Sequence, residues 1–117
     1  MDLRDLVRTV LAGDLLTARQ WVADARHARV DWEAMPKPEG MSDREMTVAA
    51  GLTELLATRA GSPAPAWTDS VGGEDEPLIL DPGLEQMPRS FARAKAAGPP
   101  SLRRRNLVAL PDFLDVA

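Results

Sequence analysis

The chain has 117 residues, 44% of them hydrophobic, a formal net charge of −4 and no cysteine. That size and balance fit one globular domain with a modest core and not a chain disordered throughout. The missing thiols exclude disulfides, thiol catalysis and thiolate metal sites, and the negative charge disfavours nucleic acid as a partner. Aromatic residues are scarce (three Trp, two Phe, no Tyr), so the core is expected to rest on Leu, Val, Ala and Met with Trp as large anchors. The charged start, Met1 to Asp5, lacks the apolar core of a signal peptide, and no apolar run is long enough to cross a membrane. A cytoplasmic location is the expectation.

Leu3, Leu6, Val7, Val10 and Leu11 recur at the spacing of an amphipathic helix, with Asp2 as its cap and Gly13 as its stop. Asp14 caps a second helix through roughly Ala28, whose buried face includes Leu15, Ala18, Val22 and Ala25 with Trp21 beside them. So short a turn predicts that these helices pack as a hairpin. Pro36, Pro38 and Gly40 break the pattern, and Trp32 and Met35 are expected to fold back on the core. The best-specified element comes next. Ser42 and Glu45 have the spacing of a capping box, Met41 and Met46 that of a hydrophobic staple, and Gly61 and Pro63 end the helix. Its inner face is Val48, Ala49, Leu52, Leu55 and Leu56. Gly51 in mid-helix costs up to about 1 kcal/mol against Ala, which a close helix crossing would explain.

Residues 62–117 hold eight of the ten prolines, so long helices are excluded over most of this half. Trp67 is expected against the bundle, and residues 71–76 as an exposed loop. Leu78-Ile79-Leu80 and Leu107 to Leu110 are extended apolar runs that can pair into a two-stranded ribbon. Ser90 is expected to cap a helix from Phe91 to Ala97, Ser101 to Asn106 offers one more turn, and residues 111–114 close with a turn or short helix. The alternative is a tail that orders only on a partner; the frequent apolar anchors favour an ordered wrap. The fold expected is therefore mainly α, one domain: a three-helix core over 1–61 and an irregular proline-rich wrap over 62–117.

Charge is sorted along the second half. Between 69 and 87 there are six acids and no base, and between 88 and 105 six bases and no acid. The plainer expectation is that these segments face each other or are simply solvated. The sharper one is a polarised binding surface built on Asp69, Glu74, Asp75 and Glu76 or on Arg103, Arg104 and Arg105, with exposed members of Trp21, Trp32, Trp67, Phe91 and Phe113 as hot spots. For Trp67 core filling is preferred.

No catalytic set can be assembled. His27, the one histidine, stands late in a helix, where it can interact with the C-terminal carbonyls. Asp81 and Glu85 are interrupted by Pro82 and Gly83; Asp112 reads as a cap, and Asp81, Glu85 and Asp115 as surface. Gly72-Gly73 lacks the ending of a phosphate loop. Neither a metal nor a cofactor is expected. A helix-turn-helix about Gly13 would present both Arg19 and Asp24 outward and ranks low. An alternative function is a nucleic-acid-binding regulator using Arg89, Arg93, Lys95 and Arg103 to Arg105.

Three stretches taken together, Ala18-Arg19-Gln20-Trp21-Val22, Pro65-Ala66-Trp67-Thr68 and Leu102-Arg103-Arg104-Arg105-Asn106-Leu107-Val108, with Glu76-Pro77-Leu78 before the last, carry a likeness. Their order resembles a group of small bacterial proteins, some encoded beside nucleotidyltransferase-like toxin genes and regarded as their antitoxins. The resemblance implies a protein partner neutralised by binding, and no catalytic residues. The chain departs from the commonest antitoxin plan in lacking a DNA-binding half. The expected function is a non-enzymatic protein-binding module.

Overall fold

A computed structural model describes residues 2–116. Side-chain caps start the three helices of the first half. Asp2 accepts from the Arg4 amide at 2.9 Å and opens α1, Leu3–Leu11. Helix α1 buries Leu3, Leu6, Val7 and Val10, while Leu11, the last residue of the predicted stripe, lies at its exposed edge. Gly13 turns the chain at φ 78°, a left-handed conformation that glycine reaches without steric cost. Asp14 then accepts from the Thr17 amide at 3.1 Å and opens α2, Leu15–His27. Its buried line is Ala18, Val22 and Ala25. Trp21 is half-buried, and its ring N–H donates to the Asp2 carbonyl at 3.2 Å, tying the hairpin at its open end.

Helix α3, Asp43–Arg59, carries the full capping box: the Glu45 amide donates to Ser42 Oγ at 3.2 Å, and the Ser42 amide to Glu45 Oε1 at 3.0 Å. Every residue from Thr47 to Ala57 is buried, so this helix is covered on all sides. Each Leu or Val fully buried along it contributes about 1.5–3 kcal/mol. Helix α1 covers one flank, with α2 packed on α1, and the second half of the chain packs on the other side.

That second half is ordered and built from short pieces. A 3-10 turn spans Ala66–Ser70 and another Leu84–Gln86; β1 is Leu78–Ile79, α4 Pro88–Ala97, α5 Pro100–Arg103 and β2 Leu107–Val108. The strands pair in parallel, Leu78 opposite Leu107 and Ile79 opposite Val108. A parallel pair needs a long crossover, which the second 3-10 turn, α4 and α5 provide. The main core takes Leu6, Val10 and Leu52 from the first half and Leu102, Leu107 and Phe113 from the second. The fold is mainly α with one small two-stranded sheet, as expected.

Two local expectations are corrected. Helix α4 begins at Pro88, and Ser90 lies inside it, not at its cap. Proline at the first helical position lacks only an N–H that would be unpaired anyway, so it starts the helix two residues before the serine. Asp112 caps no helix either: residues 111–114 form a turn in which the Phe113 amide donates to the Leu110 carbonyl at 3.0 Å.

Gly51 is explained by α5 and β2. A Cβ there would lie 2.9 Å from Leu102 Cδ2 and 3.0 Å from Leu107 Cδ1. Gly98 is tighter, because its neighbours are backbone: a Cβ would stand 2.5 Å from the Ala94 carbonyl oxygen and 2.6 Å from that of Ala109. Gly98→Ala is therefore expected to cost about 1–3 kcal/mol by overpacking. Gly72→Ala, where a Cβ meets nothing within 4 Å, should stay within about 0.5 kcal/mol of the parent. Urea denaturation of the two variants side by side checks the pair. No helix among the described residues is long and apolar enough to cross a membrane.

Candidate functional site

A cleft of about 850 Å³ opens between the C-terminal ends of α2 and α3 and the tail of the chain. Val22 and Ala25 from α2, Trp32 from the following loop, Leu56 from α3 and Leu114 from the tail make an apolar floor. Arg26, Arg29 and Arg59 stand around it, with Asp115 as the one carboxylate side chain among the described lining residues. Two of these arginines hold the tail that forms one wall. Arg26 Nη1 donates to the Val116 carbonyl at 3.0 Å, and Arg59 donates to the carbonyls of Phe113 at 2.6 Å and Pro111 at 3.2 Å. Burial pulls the Arg59 guanidinium below its usual pKa range, with Asp115 and Asp112 acting in the opposite sense. Among the described residues none of the three arginines makes a salt bridge.

The residues singled out in the sequence lie elsewhere, and only some of them come together. Arg105 is buried, its side chain 5% exposed, and Nη2 donates to Glu54 Oε1 at 2.6 Å and to the Thr68 carbonyl at 2.8 Å. It is an internal latch between α3 and the C-terminal half and is not available to a partner. Arg104 reaches the same carboxylate through Oε2 from a more exposed position. Arg103 is exposed and donates to the Ala96 carbonyl, closing the α4–α5 corner. Glu74 is largely covered: it pairs with Arg44 of α3 at 3.0 Å, and its amide donates to the Arg105 carbonyl at 3.0 Å. Asp69, Asp75 and Glu76 are exposed. A shallow groove of about 230 Å³ brings Asp69, Gly72 and Gly73 beside Arg104 and Arg105, without Asp75, Glu76 or Arg103.

The acidic and basic segments therefore do not neutralise each other. Their ion pairs run to α3, Glu74 to Arg44 and Arg104 with Arg105 to Glu54. The docking between the two segments is through backbone, where a Cβ on Gly73 would stand 2.8 Å from Arg105 Cα. Of the proposed hot spots, Trp32 and Phe113 are core residues. Trp67 is partly buried, its ring N–H donating to the Met35 carbonyl at 2.8 Å. Phe91 is half-buried with Lys95 Nζ 5.5 Å from its ring centre. His27 is exposed at the end of α2.

Asp81, read as surface, is half-buried and accepts from the Leu110 amide at 2.7 Å, bridging the two extended runs beyond their strand pairing. Burial raises its pKa, against the lowering effect of that hydrogen bond. A carboxyl whose folded pKa is raised stabilises least once ionised: its contribution weakens as pH rises from the unfolded to the folded value. Asp81→Asn keeps an acceptor for Leu110 and removes the desolvated charge, so at pH 7 its melting temperature should equal or exceed the parent's. Asp81→Ala should fall below both. Carboxyl NMR titration should place Asp81 above the ordinary aspartate range.

Two features were missed in the sequence. Glu54 carries a signal there: it is the one ionisable residue in the apolar run from Thr47 to Thr58, and a charge on a helix buried all round needs a partner. The arginines of the cleft carry none, since Arg26, Arg29 and Arg59 meet only through the fold. No protein-family model, curated protein or solved structure matches the chain.

Proposed function

We propose that this chain is a non-enzymatic, cytoplasmic protein-binding module, and, following the resemblance noted above, an antitoxin that neutralises a nucleotidyltransferase-like toxin by direct contact. The observation that supports binding is the open cleft, where the accessible apolar residues Val30, Ala60 and Val116 lie among three arginines, the mixture of apolar and polar contacts an interface uses. Arginine is also among the residues that dominate binding energy where they are held in place. Guanidinium groups hold anions and do not move protons near neutral pH, so this site suits recognition better than acid–base chemistry.

The test places a photo-crosslinking residue at Ala60, exposed at the cleft edge, in the native host, with Ala92 on α4 as a control. One crosslinked protein at Ala60 and a complex that silences a co-expressed toxin are the expected results. Uncrosslinked bait at both sites overturns the binding reading. A complex whose enzyme stays active overturns the antitoxin part.

One observation favours the nucleic-acid reading as a second choice. Arg89, Arg93, Lys95 and Arg103 are exposed, and among the described residues none is in a salt bridge. Duplex or RNA affinity that falls steeply with salt and is lost in Arg103→Ala/Arg104→Ala would support it; no retention at low salt rejects it.

A further inference from the structure

We infer that the cleft between α2, α3 and the tail receives an acidic amphipathic segment of the partner, apolar side chains down and carboxylates toward Arg26, Arg29 and Arg59. The inference rests on the protein-binding reading and specifies its site and chemistry.

Charge complementarity selects the occupant. Among the described residues that line the cleft there are three guanidiniums and one carboxylate, Asp115, with Asp112 acting on Arg59 from outside the lining, in a chain whose net charge is −4. The positive rim is thus a local exception to an acidic molecule. Each guanidinium carries five N–H donors. Within the described residues Arg26 gives one hydrogen bond and Arg59 two, all to tail carbonyls, and none to a carboxylate. Those bonds fix the two side chains at the rim, so little freedom is lost when an anion arrives. The cleft's accessible apolar edge demands the other half of the ligand: Val30, Ala60 and Val116 keep exposed surface over a buried floor and offer no polar side chain to bind. A purely ionic ligand would leave it uncovered, and a purely apolar one would leave the guanidiniums without acceptors. A segment with apolar residues one helical turn apart, flanked by Glu or Asp, satisfies both.

Backbone conformation marks the same place. Only three non-glycine residues among those described have positive φ, and two of them, Arg29 at 53° and Leu114 at 56°, line the cleft. Left-handed backbone is costly for such side chains, and strain of this kind collects at functional sites. Glycine at position 29 would relieve it, so Arg29→Gly removes a rim cation without harming the fold.

The experiment is a ¹⁵N NMR titration of the full chain with a synthetic amphipathic peptide of about five helical turns. It carries Leu at i, i+3, i+4 and i+7 and Glu on the flanks. Two control peptides replace Glu by Lys or Leu by Ser. The expected result is saturable shifts at Ala25, Leu56, Ala60 and Leu114 with the Glu peptide and none with either control. Arg29→Gly should weaken binding about five- to tenfold while its melting temperature stays level or rises. Silence at the cleft, equal binding of the Lys peptide, shifts centred on α4, or unchanged affinity in Arg29→Gly would each overturn the inference. A native partner captured at Ala60 together with a silent Glu peptide sinks the inference and spares the binding reading. A responsive cleft with no captured partner keeps the cleft's preference for acidic amphipathic peptides and overturns the claim that a partner protein supplies one.

Discussion

Glu54→Ala is expected to lose about 3–5 kcal/mol of stability, because it leaves the buried Arg105 guanidinium without its carboxylate. Only the Ser101 and Thr68 carbonyls would remain as acceptors, and Arg105 Nε already has no hydrogen-bond partner. A domain of this size has about 5–15 kcal/mol in total, so the variant should be marginal or unfolded. Arg105→Ala should cost less than Glu54→Ala, since Arg104 still reaches Glu54 from the surface side. A buried ion pair is not itself a large net gain. Replacing both partners by apolar residues, Glu54→Leu with Arg105→Met, should therefore recover much of the loss. Urea denaturation of the two single variants and the double measures the coupling. A cost under about 1 kcal/mol for Glu54→Ala would mean that the pair is solvated and that the second half of the chain is not latched to α3 in this way.

Phe113→Ala is expected to cost about 3–5 kcal/mol through the cavity it opens. Phe113 is 2% exposed and packs in the main core, and its carbonyl accepts from Arg59. The side chain is the nail that holds the tail, and the tail is one wall of the cleft. Its loss should therefore appear twice: as a lower urea midpoint and as faster hydrogen exchange at residues 111–116. The two readouts separate a simple core defect from loosening of the wall. A variant that is destabilised while its tail exchanges at the parent rate would contradict the tail's dependence on this anchor.

How much of this was legible in the sequence depends on what fixed each element. Helices α1 to α3 are written locally, in Asp2, Asp14 and the Ser42–Glu45 box and in apolar spacing, and they form where those signals put them. The second half is ordered by contacts distant in sequence. Its pieces are two to ten residues long, too short for periodicity to set their ends. Pro88 shows the limit: it reads as a breaker, yet it serves as the first residue of α4. The arginine run shows another. Arg103, Arg104 and Arg105 look alike in the chain, but the end of α5 and the turn after it point them to a backbone carbonyl, to the edge of Glu54 and into the core. Sorted charge along the chain suggested segments that face each other or are simply solvated: most of these groups are exposed, and Glu74, Arg104 and Arg105 pair with α3 instead of with one another. The cleft could not be read at all, because its rim gathers arginines from α2, its following turn and α3 only after folding.

The account turns on where a partner touches this protein, and hydrogen-exchange mass spectrometry of the chain with its captured partner measures that directly. Protection is predicted at residues 22–32, 56–62 and 111–116, with α4 and the 69–76 loop exchanging as in the free chain. Protection confined to residues 69–76 and 103–105, or to α4, would contradict it.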